Sequence, residues 1–154
     1  MSAPLRYFDD LSVGDCFRSF SRTLSEAEIL EFAWAYDPQP FHISLPDGAQ
    51  SIFGGLIASG LHTLAISSRL GLEASGLIGA NAGGRGLDAL RWFKPVYPGD
   101  SLYVTAEILT IQAPRPGRDL GDVRVCYRTY NQDDVLVMSF ELMQLVKLRP
   151  VSPA

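Results

Sequence analysis

The sequence predicts an α+β fold, an antiparallel β-sheet wrapped around a central buried α-helix. Three observations predict it. Residues 59–73 are apolar or small almost all the way round a helical wheel, the mark of a helix buried on every side. After them the hydrophobic period drops to two, and four alternating segments follow with short connections. Before them stands one amphipathic segment with a helix-start signature. Consecutive strands with tight connections pair antiparallel, and such a sheet can cover a helix with one face.

The totals fit this class. A chain of 154 residues predicts one domain over 1–154, able to bury roughly two-thirds of its unfolded surface. Apolar residues are 47% and charged residues 19%, a globular balance. A net charge of −4 with no Lys/Arg cluster excludes nucleic acid and anionic membranes as expected partners. Cys16 and Cys126 make no metal-ligand spacing and read as small buried hydrophobes in a reducing compartment. The N-terminus has no apolar h-region. No apolar run reaches the ~18 residues that span a bilayer. The expected location is the cytoplasm.

The elements follow in order. Residues 1–14 read as an extended arm anchored by Tyr7 and Phe8, with a turn at Val13-Gly14-Asp15. Residues 16–24 read as a first strand carrying Phe17 and Phe20. Ser25 and Glu28 form a capping box, so a helix should run to Tyr36 with Ile29, Leu30, Phe32, Ala33 and Tyr36 on its apolar face. Pro38 and Pro40 stop it. Residues 45–55 read as loop, with Pro46, Gly48, Gly54 and Gly55. The buried helix then carries Leu61, Leu64, Ile66, Leu70 and Leu72. Gly83-Gly84-Arg85-Gly86 reads as a flexible lead-in to a strand over 87–93, and not as a phosphate loop, because no Lys-Ser/Thr follows. Strands over 101–111, 122–130 and 135–148 complete the sheet, the last two joined by a turn at residues 131–134. The tail after Arg149 is expected to fray.

The chemistry gathers where the first helix ends. Asp37 and His42 lie five residues apart with two prolines between. A carboxylate and an imidazole on a stiff link can share the work of activating a water. The same spacing also fits a helix-exit Asp and a hydrogen-bonded loop His. Gly60 opens the buried helix, where first-turn N–H groups lack intrahelical partners and the helix dipole is positive. A developing oxyanion would be stabilised there. Equally, Gly60 could serve only close packing against the sheet. His62 reads as a structural histidine, and Ser67 and Ser68 as cleft donors or helix back-bonders. Arg85, Arg91 and Lys94 read as solvated charges. No metal-ligand cluster is present.

Three stretches together resemble the MaoC-like, R-specific enoyl-CoA hydratase family of hotdog-fold proteins. Asp37-Pro38-Gln39-Pro40-Phe41-His42 looks like the family's hydratase motif. Residues 53–61, from Phe53 to Leu61, look like the lead into its central helix. Residues 93–102, containing Pro95-Val96 and Pro98-Gly99-Asp100, look like its strand connection. The resemblance implies a hotdog fold and a thioester site at a dimer interface, with an acyl-CoA substrate and no cofactor. It implies that Asp37 and His42 activate a water that adds to a trans-2-enoyl thioester, giving a (3R)-hydroxyacyl thioester. The Gly60 N–H would hold the thioester oxygen, and Gln39 and Ser68 would lie at the substrate. The alternatives are a hotdog acyl-CoA thioesterase and a non-catalytic acyl-CoA-binding protein. The sequence departs from the family pattern at three places. Gln39 stands where Asn is usual, Ser44 where Asp is common, and Ser59 where His often precedes the glycine.

Overall fold

The computed structural model describes residues 3–152. After a 3-10 turn at Phe8–Asp10 come strands β1 (Cys16–Arg18) and β2 (Arg22–Thr23). Helices α1 (Glu26–Tyr36), α2 (Pro40–Ile43), α3 (Leu45–Gln50) and α4 (Gly60–Ser75) follow. Four long strands close the chain: β3 (Asn81–Trp92), β4 (Ser101–Gln112), β5 (Leu120–Tyr130) and β6 (Leu136–Lys147). The strand order is β1-β4-β5-β6-β3, with β2 continuing β1's edge along β4, and every pairing is antiparallel. The sheet curls around α4, which lies against β1, β4 and β5. This is the α+β hotdog arrangement.

The core is the apolar inner face of the sheet meeting α4. Leu102, Val104, Ala106 and Ile108 alternate inward along β4, and Val123, Val125 and Tyr127 along β5. From the helix, Ile66 and Leu70 meet them. Two polar contacts pin the layers. Thr129 Oγ1 donates to Ser67 Oγ at 2.7 Å, and Gln144 Nε2 donates to the Tyr127 hydroxyl at 2.8 Å. Both pairs are buried, where polar groups are ordinarily hydrogen-bonded; Gln144 Oε1 has no partner among the described residues.

The sequence misjudges several boundaries, each for a physical reason. The first strand is broken between Arg18 and Arg22. Arg18 faces Thr105 while Arg22 faces Leu102, so the edge carries one extra residue, a bulge. Ser19 causes it, since its hydroxyl takes the Val104 N–H at 2.9 Å in place of a backbone carbonyl. Phe20, beyond the bulge, is exposed, and Cys16 is exposed because Phe17 takes the inward position of β1. The stretch 45–55 contains a helix, α3, started by Ser44 as N-cap and Pro46 in its first turn. Gly83-Gly84-Arg85-Gly86 belongs to β3, and its glycines sit where the pairing with β6 shifts register. A strand bent by bulges uses glycine for its curvature, which mimics a loop in composition. Tyr36 is exposed, and α1 buries only Ile29 and Ala33 fully. Nor is α4 buried all round, because Leu61, Ala65 and Arg69 form one exposed stripe at i, i+4, i+8.

Gly71 shows how closely α4 meets the sheet. A Cβ there would stand 2.2 and 2.4 Å from ring atoms of Tyr127, which is fully buried and held by Gln144. Replacing an interior helical glycine by alanine ordinarily stabilises by roughly 0.5–1 kcal/mol. Here overpacking reverses the sign. We expect Gly71→Ala to lower unfolding free energy by about 1–3 kcal/mol, read as a lower urea midpoint; an unchanged or higher midpoint would contradict this packing.

Candidate active site

The site is built where α1 stops and α4 starts. Asp37 is the C-cap of α1, its N–H bonded to Ala33 O at 2.9 Å. Pro38 prevents the helix from continuing. Pro40 then occupies the first position of α2, where the missing N–H costs nothing. The two prolines thus end one helix and begin the next. His42 follows on α2 and is buried. A second segment is zipped to it: the Ile57 N–H donates to Phe41 O at 3.2 Å, and the Ala58 N–H donates to Val96 O at 2.8 Å. Residues 57 and 58 therefore tie α2 to the β3–β4 connection, directly ahead of α4.

Within this frame the Asp37 and His42 side chains meet. His42 Nε2 lies 3.4 Å from Asp37 Oδ2. On the other side of the ring, His42 Nδ1 is 2.8 Å from the Ile57 carbonyl. A carbonyl only accepts, so Nδ1 carries the proton, and in the neutral ring Nε2 presents its lone pair to the carboxylate side. Asp37 takes two further bonds. Ser59 Oγ donates to Oδ2 at 2.6 Å and Gln39 Nε2 donates to Oδ1 at 2.8 Å. The Ser59 hydrogen bond is the main reason the Asp37 carboxyl titrates below the usual carboxylate range; partial burial opposes it, while Gln39 and the nearby His42 add to it.

These groups open on a cavity of about 430 Å³. Asp37, Gln39, His42 and Gly60 lie on its wall. Much of the rest is aromatic: Phe41, Phe53, Trp92 and Phe93. Tyr97 fixes the Phe53 loop, its hydroxyl donating to Phe53 O at 2.7 Å. Lys94 is the one lysine or arginine among the described residues of the wall. Gly60 is the first residue of α4. Ser59, its N-cap, accepts the Leu61 N–H at 3.2 Å, while the Gly60 N–H has no intrahelical acceptor. The Gly60 carbonyl accepts from Trp92 Nε1 at 3.0 Å. A Cβ at position 60 would meet the indole at 2.7 Å. Close packing therefore does require glycine there, against a tryptophan side chain and at the cavity wall.

Four of the five residues singled out in the sequence come together. Ser68 does not line this cavity. It sits two turns further along α4, about 12 Å away by helical rise. Gln39 lines the cavity with its amide nitrogen already engaged by Asp37. Ser59, Thr63 and Trp92 are the residues the sequence did not place in the site. The available signals for Ser59 are a hydroxyl just ahead of an apolar helix and a position where the resembled family often has His. Trp92, at a strand end, offers none. His62 is buried as expected, stacked on Phe32 with centroids 4.5 Å apart. Burial depresses its pKa, and its Nδ1 has no partner among the described residues. Arg85 pairs with Asp122 on the outer sheet face, and Arg91 bonds the Leu90 carbonyl. Among the described residues no group of three or more His, Cys, Asp or Glu could hold a metal ion, and no helix is long and apolar enough to cross a membrane.

Comparison with known proteins places this arrangement. Residues 13–127 match the model of the MaoC like domain. An uncharacterized Bacillus subtilis protein, YdeM, is 37% identical over 140 residues, covering 90% of this chain and 97% of its own. A MaoC-like dehydratase from Rhodospirillum rubrum superposes with a TM-score of 0.86 at 36% identity, covering 95% of this chain and 99% of the other. The R-hydratase PhaJ1 of Pseudomonas aeruginosa superposes with a TM-score of 0.73 at 25% identity, over 96% of each chain.

The Trp92–Gly60 contact makes a direct expectation. In a Trp34→Phe background, so that Trp92 alone emits, Gly60→Ala should displace the indole and lengthen its emission wavelength. An unchanged spectrum would show that Trp92 does not rest on Gly60.

Proposed function

Because the chain belongs to the MaoC-like dehydratase family, we propose that it hydrates a trans-2-enoyl thioester such as an enoyl-CoA to the (3R)-hydroxyacyl thioester, and dehydrates in reverse. The observation that carries this reading is the pair of acceptor atoms, Asp37 Oδ2 and His42 Nε2, 3.4 Å apart on the wall of an aromatic-lined cavity. Two acceptors so close suit one molecule with two O–H donors. Asp37, ionised well below neutrality, accepts one water proton; the His42 Nε2 lone pair accepts the other.

In the proposed reaction the oriented water oxygen attacks C3 as its proton passes to His42 Nε2. The C2=C3 electrons move toward the thioester carbonyl. The oxygen there gains enolate character next to the Gly60 N–H and the positive end of α4. His42 then returns a proton to C2. One water is consumed, the C3–O and C2–H bonds form, and the double bond is lost. The imidazolium that forms transiently lies beside the Asp37 carboxylate and keeps its Nδ1–H on Ile57 O, both of which stabilise it. The R face is taken from the family's R-specific members and is part of the proposal.

We expect Asp37→Asn and His42→Ala each to lower kcat for crotonyl-CoA hydration by roughly 100- to 10,000-fold, followed as loss of enoyl absorbance. Wild-type rates in both variants would remove these residues from the reaction. Thiol release at constant enoyl absorbance would point to a thioesterase instead.

The proposal also includes a homodimer. Among the described residues β3 pairs only with β6, so its other edge offers unpaired backbone groups. Leu87, Trp92 and Phe93 on or next to β3, and Leu61 on α4, are large apolar residues at least two-fifths exposed. A second copy would cover both the edge and this apolar surface beside the cavity. Light scattering should give twice the chain mass, falling to one chain mass in Leu87→Lys; a monomeric parent at micromolar concentration would exclude the dimer.

A further inference from the structure

We propose that Gln39 and Ser59 form a two-point clamp that positions the Asp37 carboxylate, one donor on each oxygen. The inference rests on the reading of Asp37 as a reacting group, and deepens it. Both positions are departures from the family pattern, and they lie 20 residues apart in sequence. The structure brings both onto the same carboxylate.

Each half of the clamp has its own support. Ser59 is fully buried. Its oxygen accepts the Leu61 N–H at 3.2 Å while its single proton goes to Asp37 Oδ2 at 2.6 Å. A hydroxyl facing a donor on one side can turn its hydrogen only to the other. The rotor is thus fixed by the start of α4, and the bond carries that helix's positive end toward the carboxylate. Gln39 grips Asp37 twice. Its backbone N–H donates to Asp37 O at 2.8 Å and its side-chain Nε2 to Oδ1 at 2.8 Å. Pro38 between them limits the backbone freedom of that turn. Asp37 sits at a helix exit with no further helical turn to hold its side chain. One donor would leave the carboxylate free to rotate about that bond; a second on the other oxygen fixes its plane. The plane decides whether Oδ2 faces His42 Nε2.

The ionisable groups around Asp37 are few. His42 on α2 faces Oδ2, and Lys94 stands on the same cavity wall. The nearest titratable group of α4 is His62, stacked on Phe32 and lining a separate hollow with Glu28 and Glu31 of α1. Ser59 and Gln39 are therefore the neutral groups through which the state of Asp37 can be set without changing the charge of the site.

The test follows the Asp37 carboxyl itself. Protein carrying 13Cγ-labelled aspartate is titrated by NMR as parent, Ser59→Ala, Ser59→Gly, Ser59→Thr and Gln39→Ala. Removal of either donor should move the Asp37 midpoint to higher pH, more for Ser59→Ala than for Gln39→Ala. Ser59→Thr should restore it. Ser59→Gly separates clamp from cap, because glycine is a tolerable N-cap but has no hydroxyl; its stability should stay near the parent while its Asp37 midpoint moves. On crotonyl-CoA, Ser59→Ala should lose kcat by roughly 10- to 100-fold with KM within about twofold. A parent-like Asp37 midpoint in both Ser59→Ala and Ser59→Gly, or failure of Ser59→Thr to restore it, overturns the clamp. If the parent hydrates no enoyl thioester, the proposed reaction fails, and the titration alone still decides the clamp.

Discussion

The start of α4 is the constraint on which the rest of the molecule turns. A buried helix brings a row of unsatisfied N–H groups into a low-dielectric interior, and each must be paired or exposed to something that pairs it. Ser59 satisfies one from its side chain. The next is on Gly60, a residue of the cavity wall. The helix axis and its positive end are fixed by the sheet, through Ile66 and Leu70 in the core and the Thr129–Ser67 bond. The position of the helix start is thus set by packing across the whole sheet, and Asp37 is held beside it through Ser59.

That assembly depends on three chain segments, the first two adjacent in sequence and the third far along the chain. The α1 exit brings Asp37, the proline-started α2 brings His42, and the β3–β4 connection brings Phe93 and Val96. Backbone bonds from residues 57 and 58 join the last two. The curvature of β3 matters here as well. Its register shifts at the glycines and near Ala89, which has a positive φ of 51°, bend the strand so that Trp92 reaches back over Gly60. A straight strand would carry that indole along the sheet. The bulges and the indole contact are therefore one device.

The parts of this picture legible in the sequence are those governed by periodicity and by single-residue stereochemistry. The capping box at Ser25 and Glu28 is seen in the structure, with Glu28 N–H on Ser25 Oγ and Ser25 N–H on Glu28. The alternation in β4, β5 and β6 follows from one face meeting α4. Asp37 and His42 were noticeable because prolines leave so few conformations between them. What was illegible depends on partners far along the chain. Ser19 interrupts a strand only because Val104 lies opposite. The glycines of β3 look like a loop until β6 defines their register. Ser68 shares a helix with Gly60 and was grouped with it by resemblance, yet helical rise carries it beyond the cavity. Leu61 and Ala65 read as core residues by hydropathy, and nothing local distinguishes a core stripe from one that a second molecule would cover.

The departures at Gln39 and Ser59 are best understood together. Taken singly, each weakens a motif: an amide one methylene longer, and a hydroxyl in place of an imidazole. In the structure both donate to one carboxylate, and neither brings a charge of its own. A histidine at position 59 could also donate to Asp37, but only while protonated on the facing nitrogen, and it would add a second titrating ring to a site that already has His42. Serine supplies the donor at every pH. With two neutral donors on its oxygens Asp37 stays ionised, and the proton traffic of the proposed reaction is left to His42 alone. Gln39 touches Oδ1 from beyond Pro38, while Ser59 reaches Oδ2 from the helix start. In the proposed clamp both departures serve one requirement, a carboxylate held in one plane in front of one imidazole.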